Sequence, residues 1–209
     1  MPIPTEPDDF WVKNFGPVAA EIGFLLREWN WLHEKLGDLF CTIIADTHPK
    51  VSRAIWYSVP NDRNQRGMLK AAASIAFSHD TPIFQEIDWL LEQTRLTGTQ
   101  RDDAAHSPYS VVIGEPMEVI AYHFHGHPRA KNLKSKELLS EFKRYREKTV
   151  ILSRYATALE TYVSKHRLPG SQWVDWTQTP PLPKQPSLPR SQSHRGSGVN
   201  QSGRQEPTK

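Results

Sequence analysis

From Val18 onward the apolar residues recur at intervals of three and four: Val18, Ile22, Leu25, Leu26, Trp29, Leu32, Leu36, Leu39, Phe40, Ile43 and Ile44. That period draws one apolar stripe down an α-helix, with Arg27, Glu28, Glu34, Lys35 and Asp38 on the other face. Pro17 suits the first helical position, where an N–H would have no partner anyway. The pattern therefore predicts one long helix from residue 17 to about residue 45. Residues 1–16 begin irregular and Pro-rich, with Phe10, Trp11 and Phe15 as a short amphipathic piece able to dock. Thr47-His48-Pro49 predicts a cap and a second helix over 49–58. Pro60-Asn61 breaks it, and Asn61 caps a third helix running to about Phe77. Thr81-Pro82 opens a fourth, with Ile83, Phe84, Ile87, Leu90, Leu91 and Leu96 as its buried stripe and residues 101–106 as its last turn or two. Gly98 costs a helix interior about 1 kcal/mol, so a kink or fray is expected there.

The pattern then changes. Tyr109–Ile113 and Met117–Tyr122 are short and β-branched, and Gly114-Glu115-Pro116 separates them, which predicts a β-hairpin over about 109–125. A basic loop follows (Arg129, Lys131, Lys134, Lys136), and Ser135 is expected to cap a last long helix ending near Lys165. Its inward residues are Leu138, Leu139, Phe142, Tyr145, Leu152, Tyr155, Leu159, Tyr162 and Val163. From Leu168 the chain is rich in Pro, Ser, Gln and Gly, too poor in apolar area to offset the entropy of ordering. The one exception is Trp173-Val174-Asp175-Trp176, which can fold back on the bundle. No internal repeat is evident. The fold class expected is all-α: an irregular segment over 1–16, a helical bundle over 17–165 with a small inserted hairpin, and a disordered tail over 166–209.

Composition sharpens this in one respect. The isoelectric point near 9.0 comes from the tail: six basic against two acidic residues put 166–209 at +4, while twenty basic against twenty-one acidic leave the rest at −1. The bundle is not a broadly basic nucleic-acid surface, so any RNA contact there is local, and the tail adds weak, salt-sensitive attraction. Cys41, the only cysteine, sits in an apolar run, reads as a small core residue and allows no intrachain disulfide. No signal-like segment opens the chain, and no apolar run reaches the ~18 residues of a membrane helix. The expectation is a soluble, cytoplasmic protein that does not enter a membrane and needs no cofactor.

The chemistry is concentrated in Arg101-Asp102-Asp103-Ala104-Ala105-His106, at the expected end of a helix. Metal-free RNA cleavage needs a base for the ribose 2′-hydroxyl, a cation on the phosphate, and an acid for the leaving 5′-oxygen. Histidine titrates near working pH and serves as base or acid. Arginine grips phosphate through a bidentate fork and stays charged. Asp102 could orient the imidazole or the guanidinium. One histidine fills only one proton role, so a dimer facing two copies together suits the chemistry. The competing reading is a solvated helix C-terminus, where His and Arg are favourable on dipole grounds alone.

A helical bundle that opens with a long helix bearing Trp29-Asn30-Trp31-Leu32-His33-Glu34-Lys35-Leu36, and in which a later helix ends in Arg-Asp-x-x-x-His, resembles the HEPN domain superfamily of RNases and their inactive relatives. Arg101, Asp102 and His106 match that family's Arg-polar-x-x-x-His pattern, with Asp where Asn is commoner. An acidic residue on the first helix is also part of the resemblance; Glu34 is its first counterpart and Glu21 a second. The resemblance implies a homodimer with both motifs lining one cleft. It also implies metal-independent endoribonuclease activity on RNA, leaving 2′,3′-cyclic phosphate ends. A hairpin after His106 departs from the family, in which many members pass through a short loop to the next helix.

Two other classes stay open. One is a non-catalytic helical module that binds an unidentified protein partner. The other is a metal-binding regulator using His123, His125 and His127, which share a face if the strand runs through them; a polar strand end running into a loop accounts equally for the three. The aromatic stripe Trp29, Trp31, Phe40 reads as core and interface, with Trp29 and Trp31 facing different sides. Pro180-Pro181-Leu182-Pro183-Lys184 can adopt polyproline II and act as a ligand for a Pro-binding groove, or remain a plain flexible tail.

Overall fold

The computed structural model describes residues 8–44, 48–112, 114, 117–166 and 181–190. Among these the chain forms six helices and one hairpin: α1 Asp8–Ile43, α2 Pro49–Ser58, α3 Asp62–Ala76, α4 Pro82–His106, β1 Tyr109–Val112, β2 Glu118–Ala121, α5 Pro128–Asn132 and α6 Leu138–Lys165. The fold is therefore all-α with a two-stranded antiparallel insert, in which Tyr109 pairs with Ala121 and Val112 with Glu118. No helix of the described residues is long and apolar enough to cross a membrane.

The long helices α1 and α6 lie along each other, and α3 and α4 close the bundle. Trp29, Leu32, Leu36 and Leu39 of α1 meet Leu90 and Leu91 of α4 and Leu152, Leu159 and Val163 of α6 in the main core. A smaller core, around Val18, Leu25, Ala104, Ala121, Leu133 and Phe142, fixes the hairpin and the end of α4 against α1 and α6. It is stitched by Glu141, nearly buried, which accepts from Lys136 Nζ at 2.9 Å, from Arg144 at 2.6 and 2.9 Å and from the Tyr145 hydroxyl at 2.9 Å.

Several expectations are corrected. Helix α1 starts at Asp8, not at Pro17, and carries Pro17 in its interior. A proline there removes one helical hydrogen bond and costs about 3 kcal/mol. Packing offsets this: Phe15, one turn from Val18, stands 5.6 Å from the Tyr109 ring and joins the smaller core. Trp11 in the same stretch is half exposed. Gly98 produces no break, and α4 is helical throughout. It is glycine because Trp29 crosses it: a Cβ there would lie 2.9 Å from Trp29 Cη2.

The hairpin ends at Ala121 rather than 125, and the expected basic loop contains the short helix α5. Ser135 does not cap α6; it sits at φ 60°, and Glu137 caps instead by accepting from the amides of Leu139 (3.0 Å) and Ser140 (2.7 Å). Residues 181–190, placed by composition in a disordered tail, form no helix or strand but lie along α4 and α6, with Leu182 and Leu188 packed against the main core. The Trp173–Trp176 segment and the remainder of the tail beyond His166 lie outside the described residues.

Candidate functional site

Three elements converge around Arg101. The first is α1, which presents Trp29 and His33 one turn apart on the face turned to the bundle. The second is the start of α3, where Asn61 caps the helix by accepting from the Asn64 amide at 2.8 Å and thereby fixes Asp62. The third is the last two turns of α4. Arg101 Nη2 donates to Asp62 Oδ2 at 2.7 Å, Nη1 lies 3.2 Å from Asp102 Oδ1, and the guanidinium stands 4.9 Å over the Trp29 ring. Trp29 Nε1 donates to the same Asp62 oxygen at 3.1 Å. Trp29 thus holds both members of the Arg101–Asp62 pair, and Gly98 is the gap that admits its ring.

Below this pair lies His33, with Nδ1 3.1 Å from Gln65 Oε1 and Nε2 3.9 Å from Asp62 Oδ2. The Gln65 amide nitrogen donates to the carbonyls of Trp56 (3.3 Å) and Val59 (3.4 Å), so its oxygen must face the imidazole. His33 Nδ1 is then the donor, and Nε2 carries the lone pair toward Asp62. Burial holds the His33 pKa below 6.5, against the pull of Asp62, and the ring is neutral at pH 7. Burial also opposes ionisation of Asp62, but the charge of His33 in its protonated form, the Asp62 backbone N–H, Arg101 and the Trp29 indole outweigh this and hold it below the usual carboxylate value.

The outer side of the cluster is a cleft of about 640 Å³ lined by Arg63, Arg66, Arg95, Arg101, Asp62 and Asp102, among others. Four guanidinium groups face two carboxylates, giving the lining an excess of positive charge. Arg95 is spoken for by Glu92, at 2.7 Å through both nitrogens. Arg66 Nη1 and Arg101 Nε are buried donors with no acceptor among the described residues. A buried donor left unmade costs about 1–3 kcal/mol, and an anion seated in the cleft would supply the missing acceptors. The cleft also meets the start of α3, where helix amides favour negative charge.

The anticipated residues are only partly brought together. Arg101 and Asp102 touch, and Asp102 also pairs with Arg129 of α5 at 3.6 Å. Asp102 therefore orients the guanidinium, not the imidazole. His106 is exposed at the last position of α4, with no hydrogen bond or ion pair to a described residue. Five helical residues place it about 140° around the axis from Arg101 and ~7.5 Å along it, so the two diverge within one chain. Glu34 lies elsewhere, at the α1–α2 contact, where it accepts from the Tyr57 hydroxyl at 2.5 Å and sits 3.5 Å from Arg53. Glu21 is buried against Arg146 of α6 at 2.5 Å. Neither acidic residue joins the Arg101 cluster.

The three histidines after β2 separate. His123 Nδ1 is 3.2 Å from the Ala121 carbonyl, His125 Nε2 is 3.4 Å from the Tyr122 hydroxyl, and His127 Nδ1 caps α5 by accepting from the Ala130 amide at 3.4 Å. The strand stops before all of them, so they share no face, and no cluster of three metal-ligating side chains exists among the described residues.

The residues missed at the sequence level are Asp62, His33, Arg66 and Arg129. Only Asn61, as a helix start, marked the position of Asp62. No protein-family model, curated protein or solved structure matches this chain.

Proposed function

We propose that the chain is an RNA-binding, metal-independent endoribonuclease of HEPN type, working as a homodimer. The observation that carries this reading is the arginine cleft at Arg101, with two buried guanidinium N–H groups that lack acceptors. A phosphodiester is a bidentate acceptor of the right charge, and arginine is the side chain suited to it. Arg101 grips the scissile phosphate, Asp62 and Asp102 hold its fork, and Arg66 binds a second phosphate oxygen. The ribose 2′-oxygen loses its proton, attacks phosphorus and displaces the 5′-oxygen, which takes up a proton; the products are a 2′,3′-cyclic phosphate and a 5′-hydroxyl. His106 supplies one of these proton transfers. Because His106 diverges from Arg101 on its own helix, the site is composed of Arg101 from one copy and His106 from the other.

The test is cleavage of mixed cellular RNA in EDTA, with analysis of the product ends. Wild type is expected to leave cyclic-phosphate ends, and Arg101→Ala and His106→Ala to abolish them while remaining folded. A mixture of the two variants is expected to recover up to about a quarter of wild-type activity through heterodimers, one composite site in four dimer sites being intact in a random mix. Cleavage that survives both changes refutes the reading. RNA that binds, salt-sensitively, yet stays intact favours a second reading, supported by that same divergence of Arg101 and His106: a phosphate-binding module without catalysis.

A further inference from the structure

Residues 182–190 consist of three consecutive triplets with proline at the centre of each: Leu182-Pro183-Lys184, Gln185-Pro186-Ser187 and Leu188-Pro189-Arg190. Exposure follows the same period except at Gln185. Pro181, Lys184, Ser187 and Arg190 are exposed and Leu182, Pro183, Pro186, Leu188 and Pro189 half-buried, while Gln185, in register with the two leucines, is exposed and reaches the bundle through its side-chain amide. A three-residue period is that of polyproline II, which has three residues per turn and no internal hydrogen bonds. Its backbone carbonyls are therefore free for recognition from outside.

The bundle meets them. The Tyr155 hydroxyl donates to Glu86 Oε2 at 2.6 Å and lies 3.3 Å from the Pro183 carbonyl. Glu86 Oε2 also accepts from Gln185 Nε2 at 2.8 Å, and Arg144 Nη1 donates to the Pro189 carbonyl at 3.3 Å. Leu182, Gln185 and Leu188, three apart, are thus the side chains that engage the bundle. Trp89 stands edge-on to Tyr155 at 5.5 Å. Aromatic side chains with a polar tip, set in a groove and reading carbonyls and alternate apolar side chains, make up the general mode of polyproline recognition.

We propose that the groove between α4 and α6 is a recognition site for polyproline-II peptides of the form Leu-Pro-x-Gln-Pro-x-Leu-Pro, kept filled in cis by the chain's own residues 182–189. The occupant is this chain's own segment because only sixteen residues, 166–181, separate it from the end of α6. So short a tether gives a local concentration on the order of a millimolar, which a second copy at micromolar concentration does not match. This inference does not depend on the RNA cleft.

The test uses the full chain. Leu182→Ser with Leu188→Ser empties the groove without touching the bundle. A fluorescent peptide with the sequence of residues 180–190 is expected to bind this variant at roughly tens of micromolar, and wild type about 30-fold more weakly, because a millimolar internal competitor is present. Adding Tyr155→Phe and Glu86→Ala to the emptied variant is expected to abolish peptide binding. Equal binding to wild type and emptied variant, no binding to the emptied variant, or binding indifferent to Tyr155 and Glu86 overturns the proposal. A second measurement needs no peptide: with Cys41→Ser, Glu147→Cys and Arg190→Cys, two exposed positions lining one cavity outside the recognised contacts, a short bis-maleimide is expected to give an internally cross-linked monomer. A cross-linked dimer, or no cross-link, overturns occupancy in cis.

Discussion

Glu141 offers the most quantitative test of the packing that carries the hairpin and the end of α4. Its side chain is 7% exposed and its carboxylate takes up the Lys136, Arg144 and Tyr145 donors. Burial alone would raise its pKa; the hydrogen bonds from Arg144, Lys136 and Tyr145 reverse this and bring it from 4.5 to about 2. At 1.36 kcal/mol per unit of pKa, the ionised form contributes about 3 kcal/mol to the folded state. The folded value lies below the unfolded one, so this contribution is complete above about pH 5 and is lost as pH falls through the window from 4.5 toward 2. By pH 3 about 2 kcal/mol of it is gone. The perturbation is Glu141→Gln, which keeps the shape and removes the charge. Urea denaturation followed by far-ultraviolet circular dichroism at pH 7, 5, 4 and 3 is expected to show wild type losing its advantage over the variant by about 2 kcal/mol between pH 7 and pH 3. A gap that stays constant over that range would mean the carboxylate titrates as though exposed, and the reasoning from its three donors would fail.

Two further outcomes follow from the site. Gly98→Val is expected to destabilise the fold by about 1–3 kcal/mol through overpacking, because even its Cβ meets Trp29 Cη2 at 2.9 Å; an unchanged urea midpoint would show that the ring has room to move. His33, held below 6.5 by burial, gains a proton on unfolding at pH values below 6.5, so wild-type stability is expected to decline as pH drops through that region, and His33→Gln to decline less; identical slopes would contradict the buried neutral imidazole.

The helices were legible because burial in this fold is periodic along the chain. The stripe from Val18 to Ile43 is the face that α6 covers together with α2, α3 and α4, and the caps at Asn61 and Thr81 accept the amides of Asn64 and Phe84, as the residue types implied. The failures occur where a distant residue overrides a local rule. Pro17 suits a helix start because the N–H it lacks needs no partner there, whereas it lies inside α1, where neighbouring Phe15 packs against Tyr109, far along the chain. Gly98 looked like a weakness in α4, but its lack of a side chain is what Trp29 requires. Ser135 had the composition of a cap, yet the carboxylate of Glu137, two residues on, takes the amides first.

The Arg101 cluster obeys the same logic. Its arginine was visible because a helix end gathers Arg, Asp and His in one short run, but a run in sequence is not a cluster in space. Helical geometry drives Arg101 and His106 apart, while the fold supplies Arg101 with Asp62, thirty-nine residues away, and with Trp29 beneath it. The carboxylates with real charge contacts to Arg101 are therefore Asp62 and Asp102, and Glu34, one helical position beyond His33, faces α2 instead. The tail carries the converse lesson. Composition marks 166–209 as too polar to order; residues 181–190 depart from that expectation, because apolar area by itself takes no account of spacing. Two leucines six residues apart lie on one side of a three-fold helix, and prolines lower the entropy lost when that helix docks. A segment with little apolar area can then seat both leucines against the main core at once; the capacity of residues 180–184 for polyproline II is legible in the sequence, whereas the side chains that meet the segment, Glu86, Arg144 and Tyr155, come from distant helices.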